Sequence, residues 1–494
     1  MNRKSKMIAV LLIMTASLSA QPAIKLTLEE AITIASDSSL TAFRHKNMYQ
    51  RSYWEYRVFK ASRLPGLSLG LSPQYYRAIT QRYDSNQDAD VYREQQMFSL
   101  SSSLGATQNI DFLGGTLYLN SDLGYMRNFG DNKSTQYSSV PLQLGYRQDL
   151  IGYNPFKWDK KIEPLRFEKA RKQFVYNMES VSEEVAGFFF DLAMAQAEYD
   201  LALENCQNTD TLYTIGKRRF EIAGISQADL MTLKLDNINA RNSLKNAEIS
   251  LKRSMNTLVN YLGLPSSSLI ETVLPSYPEK LNINIDEAIR EARQNNYELL
   301  EKRQVITEAE QSYDRARKEA LFSASFNASV GFNQVAENLA DAYKKPLQQD
   351  LMSISLTIPL LDWGVRKGKK SMAWNDLEEA RLAERQKNIS LDEEVAIIVR
   401  DFNVQQDMLA SAEEAEVLGR AAYKQTQQRY IIGKADINDL TLSRNRQQEA
   451  RKNYISALRS YWQNYYKIRK VTLYDFVKGF GLADHFDFNK GKYQ

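Results

Sequence analysis

Two kinds of apolar pattern divide this chain. Short stretches alternate strictly. Leu67, Leu69 and Leu71 interleave with Ser68, Gly70 and Ser72. Phe322, Ala324, Phe326, Ala328 and Val330 interleave with Ser323, Ser325, Asn327 and Ser329. Ile354, Leu356 and Ile358 do so with Ser353, Ser355 and Thr357, and Leu142, Leu144 and Tyr146 repeat the theme. A period of two sends successive side chains to opposite faces of a strand. Each stretch therefore predicts a strand with one apolar and one polar face. That suits the wall of a membrane β-barrel, and it suits a half-buried strand of a soluble sheet equally well.

Far longer stretches follow the helical period. Val181, Val185, Phe188, Phe189 and Leu192 fall on one face, as do Val395, Ile398, Val399 and Phe402. No proline occurs from Leu165 to Leu264, and none after Pro359, so nothing removes a backbone donor or forces a kink there. The pattern predicts helices over 169–223 and 369–432, each spanning about 80–95 Å. Helices of globular proteins average about 11–12 residues, so these must pack as coiled-coil-like bundles. Each runs to a tip, Ile222 to Asp229 and Ile432 to Asp439. Gly224 and Gly433 are expected to take the positive φ that ends a helix. Ser226 and Asp436 are expected to cap the returning helices, 226–262 and 436–470.

The chain also repeats itself. Leu26-Thr-Leu-Glu-Glu-Ala-Ile32 matches Ile283-Asn-Ile-Asp-Glu-Ala-Ile289, and the segment from Gly66 matches that from Phe322, both offset by about 256 residues. Arg219-Phe220 to Asp229-Leu230 matches Arg429-Tyr430 to Asp439-Leu440 at an offset of about 210. A tandem duplication with about 45 extra residues in the first copy accounts for both offsets. The extra residues read as a hairpin over about 97–128, around Gly114-Gly115. Whether it joins the other strands is left open by the pattern. Ile79 to Gln96 and Gln334 to Asp350 are polar and charged, and are expected to be long exposed loops. The predicted domains are a leader over 1–20, a first repeat over 21–276 and a second over 277–494. The first holds strands near 66–77 and 139–150 and a helical hairpin over 158–262. The second holds a helix over 286–320, strands near 322–333 and 351–360, and a helical hairpin over 365–470.

The leader reading rests on Arg3, Lys4 and Lys6, the apolar run from Met7 to Leu18, and small residues at Ser17 to Ala20, the pattern of a secretory signal peptide. The run is short of the roughly 20 residues that span a bilayer. Past it no apolar stretch is long enough, so a membrane location would require a closed barrel. The 28 Tyr and 20 Phe fit aromatic girdles. A net charge of +4 with signs interspersed points away from nucleic acid. Cys206 alone can form no internal disulfide and reads as a small packed residue of a helix. The two histidines, His45 and His485, lie at opposite ends of the chain. With no phosphate loop, metal-ligand cluster or nucleophile motif, neither an enzyme nor a cofactor is expected. Four strands, or six with the hairpin, fall short of the roughly 8 in the smallest membrane barrels, so closure requires several chains.

From Leu26 to about Tyr474 the chain resembles the TolC-like outer membrane efflux proteins. The resemblance is carried by the repeated Leu26–Ile32 segment and by Pro359-Leu-Leu-Asp-Trp-Gly364 leaving the last strand. The tips Arg219-Phe-Glu-Ile-Ala-Gly224 and Arg429-Tyr-Ile-Ile-Gly433 add to it. It implies a mixed α and β membrane protein of two tandem repeats. Three copies would share a twelve-stranded outer-membrane β-barrel joined to a long periplasmic α-helical barrel. A small mixed region over 263–284 and after Lys470 would lie between them. The implied role is a passive exit duct that receives small molecules from an inner-membrane pump through a periplasmic adaptor. By position, Tyr430 matches a gate tyrosine, Asp229 the acid it meets, and Asp439 an acid that lines the aperture. In a trimer Asp439 would form a ring of carboxylates favouring cations. Read by themselves, both aspartates are favourable charges at a helix N-terminus. The sequence departs from the family at Ala435, where a basic residue is expected, and at Leu442, where a second aperture acid is expected. Ile222, Gly224, Ile432 and Gly433 are the implied adaptor-docking surface. The same fold serves type I protein secretion, which the sequence does not separate from efflux. A secreted coiled-coil scaffold or adhesin would explain the leader and the helices, but not strands at matching points of two repeats.

Overall fold

The computed structural model describes residues 24–85, 88–129, 133–276, 280–432, 434–435, 437–488 and 492–493. The leader over 1–20 lies outside them. The duplication is visible in element lengths. The first repeat holds β1 (Ile24–Thr27), α1 (Leu28–Ser38), α2 (Leu40–Ala61), strands β2 (Gly66–Asp84), β3 (Ala89–Ile110), β4 (Gly115–Asn128) and β5 (Ser134–Ile151), α3 (Pro155–Glu221) and α4 (Gln227–Leu262). After β6 (Ile270–Val273) the second holds α5 (Ile285–Asn295), α6 (Tyr297–Glu319), β7 (Ser323–Ala336), β8 (Leu347–Thr357), α7 (Val365–Ile431) and α8 (Ile437–Thr472). The outgoing helices α3 and α7 are both 67 residues long, and the returning helices α4 and α8 both 36. At 1.5 Å per residue the former span about 100 Å. α3 exceeds its expected length because it starts at Pro155, a favoured first helical residue, and runs on through Pro164. No helix among the described residues is long and apolar enough to cross a membrane.

The chain divides into two compact units, one of 1–49, 171–297 and 388–494, the other of 50–170 and 298–387. The second contains a six-stranded antiparallel sheet in the order β2-β3-β4-β5-β7-β8. Two expectations change here. The polar stretch from Ile79 to Gln96 is mostly strand, because β2 and β3 pair without interruption from Gly66↔Thr107 to Asp84↔Ala89. The alternation of apolar and polar residues fades there, but backbone pairing does not need it. Likewise Gln334 to Asp350 is strand at both ends, with one turn of 3-10 helix at Asp341–Tyr343. The inserted hairpin is β3 and β4, and it stands inside the sheet between β2 and β5. In the same unit a row of helices runs α2, α3, α6, α7. Tyr56 stacks on Phe167 at 4.6 Å, Arg166 meets Glu308 at 2.8 Å, and Tyr313 packs on Trp374 at 5.3 Å.

The first unit is mainly a second row of helices, in the order α4, α3, α8, α7. Arg241 meets Asp210 at 2.7 Å between α4 and α3. Between α3 and α8 an antiparallel ladder of ion pairs runs Lys452–Glu198, Arg459–Asp191 and Arg469–Glu179, at 2.7, 2.6 and 2.9 Å. Phe402 packs on Tyr461 at 5.2 Å between α7 and α8. Phe189, Phe190, Phe402, Leu258 and Ile455 are fully buried along the row. Each such side chain contributes about 1.5–3 kcal/mol when removed from water. The chain start returns to this unit as β1, pairing in parallel with β6. The segment after α8 folds back onto α3, where Leu473, Leu482 and Phe486 bury Phe174, Val175 and Met178. Arg469 fastens it. The guanidinium forks onto buried Glu179 at 2.9 and 3.1 Å and reaches buried Asp475 at 2.7 Å.

Candidate functional site: helix tips and sheet wall

At the first tip, Ser226 caps α4 as expected. Its hydroxyl accepts from the Asp229 backbone N–H at 3.1 Å, and the Asp229 carboxylate accepts from the Ser226 backbone N–H at 3.0 Å. This reciprocal pair satisfies two helix-end donors. The hydrogen bonds from Ser226 hold the Asp229 carboxyl below its ordinary pKa. The positive φ of the turn falls on Ala223, at 56°, and not on Gly224. The bonds explain the shift. Gly224 N–H reaches Arg219 C=O at 2.7 Å and Ala223 N–H reaches Phe220 C=O at 2.9 Å. These two bonds put Ala223, not Gly224, at the left-handed position of a Schellman turn. Gly224 is needed for a different reason, since a Cβ there would stand 3.2 Å from the Arg219 carbonyl.

The second tip closes in the same way, with Lys434 N–H on Arg429 C=O at 2.8 Å. That bond aligns Lys434 with Gly224. Gly433 and Asp436 lie outside the described residues, as does the side chain of Tyr430, whose backbone is in the last turn of α7. Asp439 is exposed in the first turn of α8, the position that Asp229 holds in α4. Ile222 and Ile432 are exposed at 78% and 65%. The structure thus brings Asp229 onto Ser226 and presents an isoleucine at each tip.

The sheet is the other candidate surface, and between the register shifts of β5 its faces run across all six strands. One rung reads Leu67, Ala106, Leu119, Leu144, Val330 and Asp350; the next reads Ser68, Gly105, Asn120, Gln143, Gly331 and Gln349. The apolar face is uncovered, with Leu67, Leu69, Met352 and Ile354 more than half exposed. Every residue of β8 is exposed.

Residues 288–472 match the family model described as outer membrane efflux protein. The chain carries an outer membrane efflux protein domain. Its fold is that of the TolC-like channels. It is similar to the CmeC outer membrane channel of Campylobacter jejuni, with a TM-score of 0.63, 14% identity, and 94% of this chain and 86% of that one covered. Similarity to VceC of Vibrio cholerae has a TM-score of 0.59 at 15% identity, covering 90% and 95% of the two chains. For the open state of the MtrE channel of Neisseria gonorrhoeae the TM-score is 0.59 at 15% identity, covering 90% and 88%. No curated protein matches the chain.

Proposed function

We propose that three copies of the chain close into the outer-membrane exit duct of a tripartite efflux system. The duct would pass small molecules handed over by an inner-membrane pump through a periplasmic adaptor. The observation that carries this reading is that sheet and helices are both open at their edges. Among the described residues β2 pairs only with β3, and β8 only with β7. Uncovered edge strands are templates for another chain. The outermost helix α7 exposes Leu382, Ile389, Ile397 and Val404 at heptad-like spacing, and α4 exposes Met231, Leu235 and Ile238. Such stripes suit a neighbouring helix. Lipid would cover the apolar face of the sheet, since in a barrel that face is outward.

In this duct the tips form the periplasmic end. Asp229, Tyr430 and Asp439 are the proposed gate, with Asp439 contributing a ring of three carboxylates that favours cations. Ile222, Gly224, Ile432 and Gly433 are the proposed adaptor-docking surface. With Ala435 and Leu442 in place of polar groups, the gate has fewer contacts to hold it shut. The test is the native mass of the protein after detergent extraction from purified outer membranes. A trimer is expected; a monomer, or a species released without detergent, overturns the reading.

A further inference from the structure

The inserted hairpin has no counterpart in the second repeat, where β7 and β8 pair directly. It is also built into the sheet more firmly than an appended hairpin would be. β2 pairs with β3 over its entire length, and β4 pairs with both β3 and β5. The two-faced pattern passes through it in phase as far as Asn120, where the register with β5 shifts by one residue. Gln108, Leu117, Tyr146, Ala328 and Met352 make one rung, and Asn109, Thr116, Arg147, Asn327 and Ser353 make the next. Leu100, Leu104, Leu119 and Leu123 of the hairpin thus share the uncovered apolar face with Leu69, Leu144 and Val330. Ser101, Ser103, Asn120 and Asp122 share the polar face.

Side chains bind the insertion to both repeats. Tyr118 of β4 lies across Gly145 of β5, and its hydroxyl donates to Asn327 of β7 at 3.2 Å. Tyr146 of β5 lies in turn over Gly115 of β4. A ring seated on a glycine of the adjacent strand fixes register. A hairpin folded into a lumen or lying over a rim would need neither a second paired strand nor an apolar face.

We infer that β3 and β4 are wall strands of the barrel, so that three copies build it from eighteen strands instead of the twelve implied by the family resemblance. The inference rests on the proposed trimeric duct. Barrel diameter rises about linearly with strand number. This wall is therefore about one and a half times as wide, in the range where porins of about 16–18 strands hold an open aqueous channel. It admits bulkier solutes, and size selection passes to narrower parts of the duct.

The test is a site-directed fluorescence scan of the full chain in lipid vesicles, in a Cys206→Ser background. Leu104→Cys and Leu119→Cys carry a fluorophore on the apolar face of the hairpin, and Ser103→Cys and Asn120→Cys on its polar face. Met352→Cys and Ser353→Cys report the same alternation on β8. Quenchers on lipid chains should extinguish the label at Leu104, Leu119 and Met352. Aqueous iodide should extinguish it at Ser103, Asn120 and Ser353. If Met352 and Ser353 alternate but all four hairpin positions respond only to iodide, the hairpin is outside the wall and the inference fails alone. If β8 does not alternate either, the sheet is not a membrane wall and the duct reading fails with it.

Discussion

Tyr118 lies flat across Gly145, one strand away, and reaches Asn327 on the strand beyond. The contact requires glycine, because a Cβ at Gly145 would fall within the Tyr118 ring. Gly145→Ala should therefore expel the ring and break the bond to Asn327. The expected cost is about 1–3 kcal/mol, the usual range for overpacking. Gly331→Ala is the harsher change. There the added carbon would stand 2.7 Å from the Leu142 carbonyl and 3.0 Å from the Gln143 Cα, both backbone. Denaturant unfolding in detergent should rank wild type above Gly145→Ala, and Gly145→Ala above Gly331→Ala. Equal stability of all three would show that the sheet is looser than described.

Arg469 neutralises two carboxylates, of Glu179 and Asp475, that are almost wholly removed from water. Arg469→Ala removes the guanidinium that neutralises both, and leaves two buried charges. A cost of about 3–5 kcal/mol is expected, because the loss of one partner strands the other charges. The C-terminal segment should detach first. Limited proteolysis after Val471 would detect this, and protection equal to wild type would count against the anchoring role.

Ala223 occupies a left-handed conformation that costs an L-residue about 1–2 kcal/mol. Ala223→Gly should slow opening of the first tip in hydrogen exchange. Gly224→Ala should speed it, because of the Arg219 carbonyl. Opposite signs at adjacent residues are the signature; the same sign at both would refute the turn assignment.

His45 is half-buried on α2. Burial, assisted by Arg44 and opposed by Glu184, pushes its pKa below the ordinary histidine value. The folded chain thus resists a proton that the unfolded chain accepts. The stability difference is absent above the unfolded value of about 6.5 and grows as pH falls below it. His45→Gln should remove that part of the acid sensitivity below about pH 6.5. Unfolding midpoints of the two proteins that fall in parallel would place the acid response elsewhere.

The large divisions of this fold are legible in the chain because each has a long, uninterrupted signal. Proline-free tracts mark α3 and α7, and the alternation of apolar with small polar residues marks β2 and β7. What escaped has a physical reason. The outer halves of β2 and β3 carry polar and charged residues on both faces, so the period-2 signal ends long before the hydrogen bonds do. The left-handed residue of the first tip is an alanine, which no rule based on glycine would select. Gly263, at φ 70°, ends α4 and lies so close to the Ser38 carbonyl that a Cβ would stand 2.7 Å from it. The helix end was legible there, but the neighbour 225 positions earlier in the chain was not. The tip aspartates were legible as helix-start charges, and Asp229 is bonded as one.

The matched lengths of 67 and 36 residues in the two repeats have a consequence for how such a protein can change. The ion pairs between α3 and α8 hold a single register along their contact. A turn added to α3 alone would slide its tip about 5.4 Å past that of α7, so growth of the helices must occur in concert. The sheet is under no such obligation. A hairpin enters and leaves at the same edge of the wall, and it delivers the chain to β5 running in its original direction. Two strands can thus be gained by one repeat alone, and never one. The helical part is heritable only as a set, whereas the wall is free to widen in pairs.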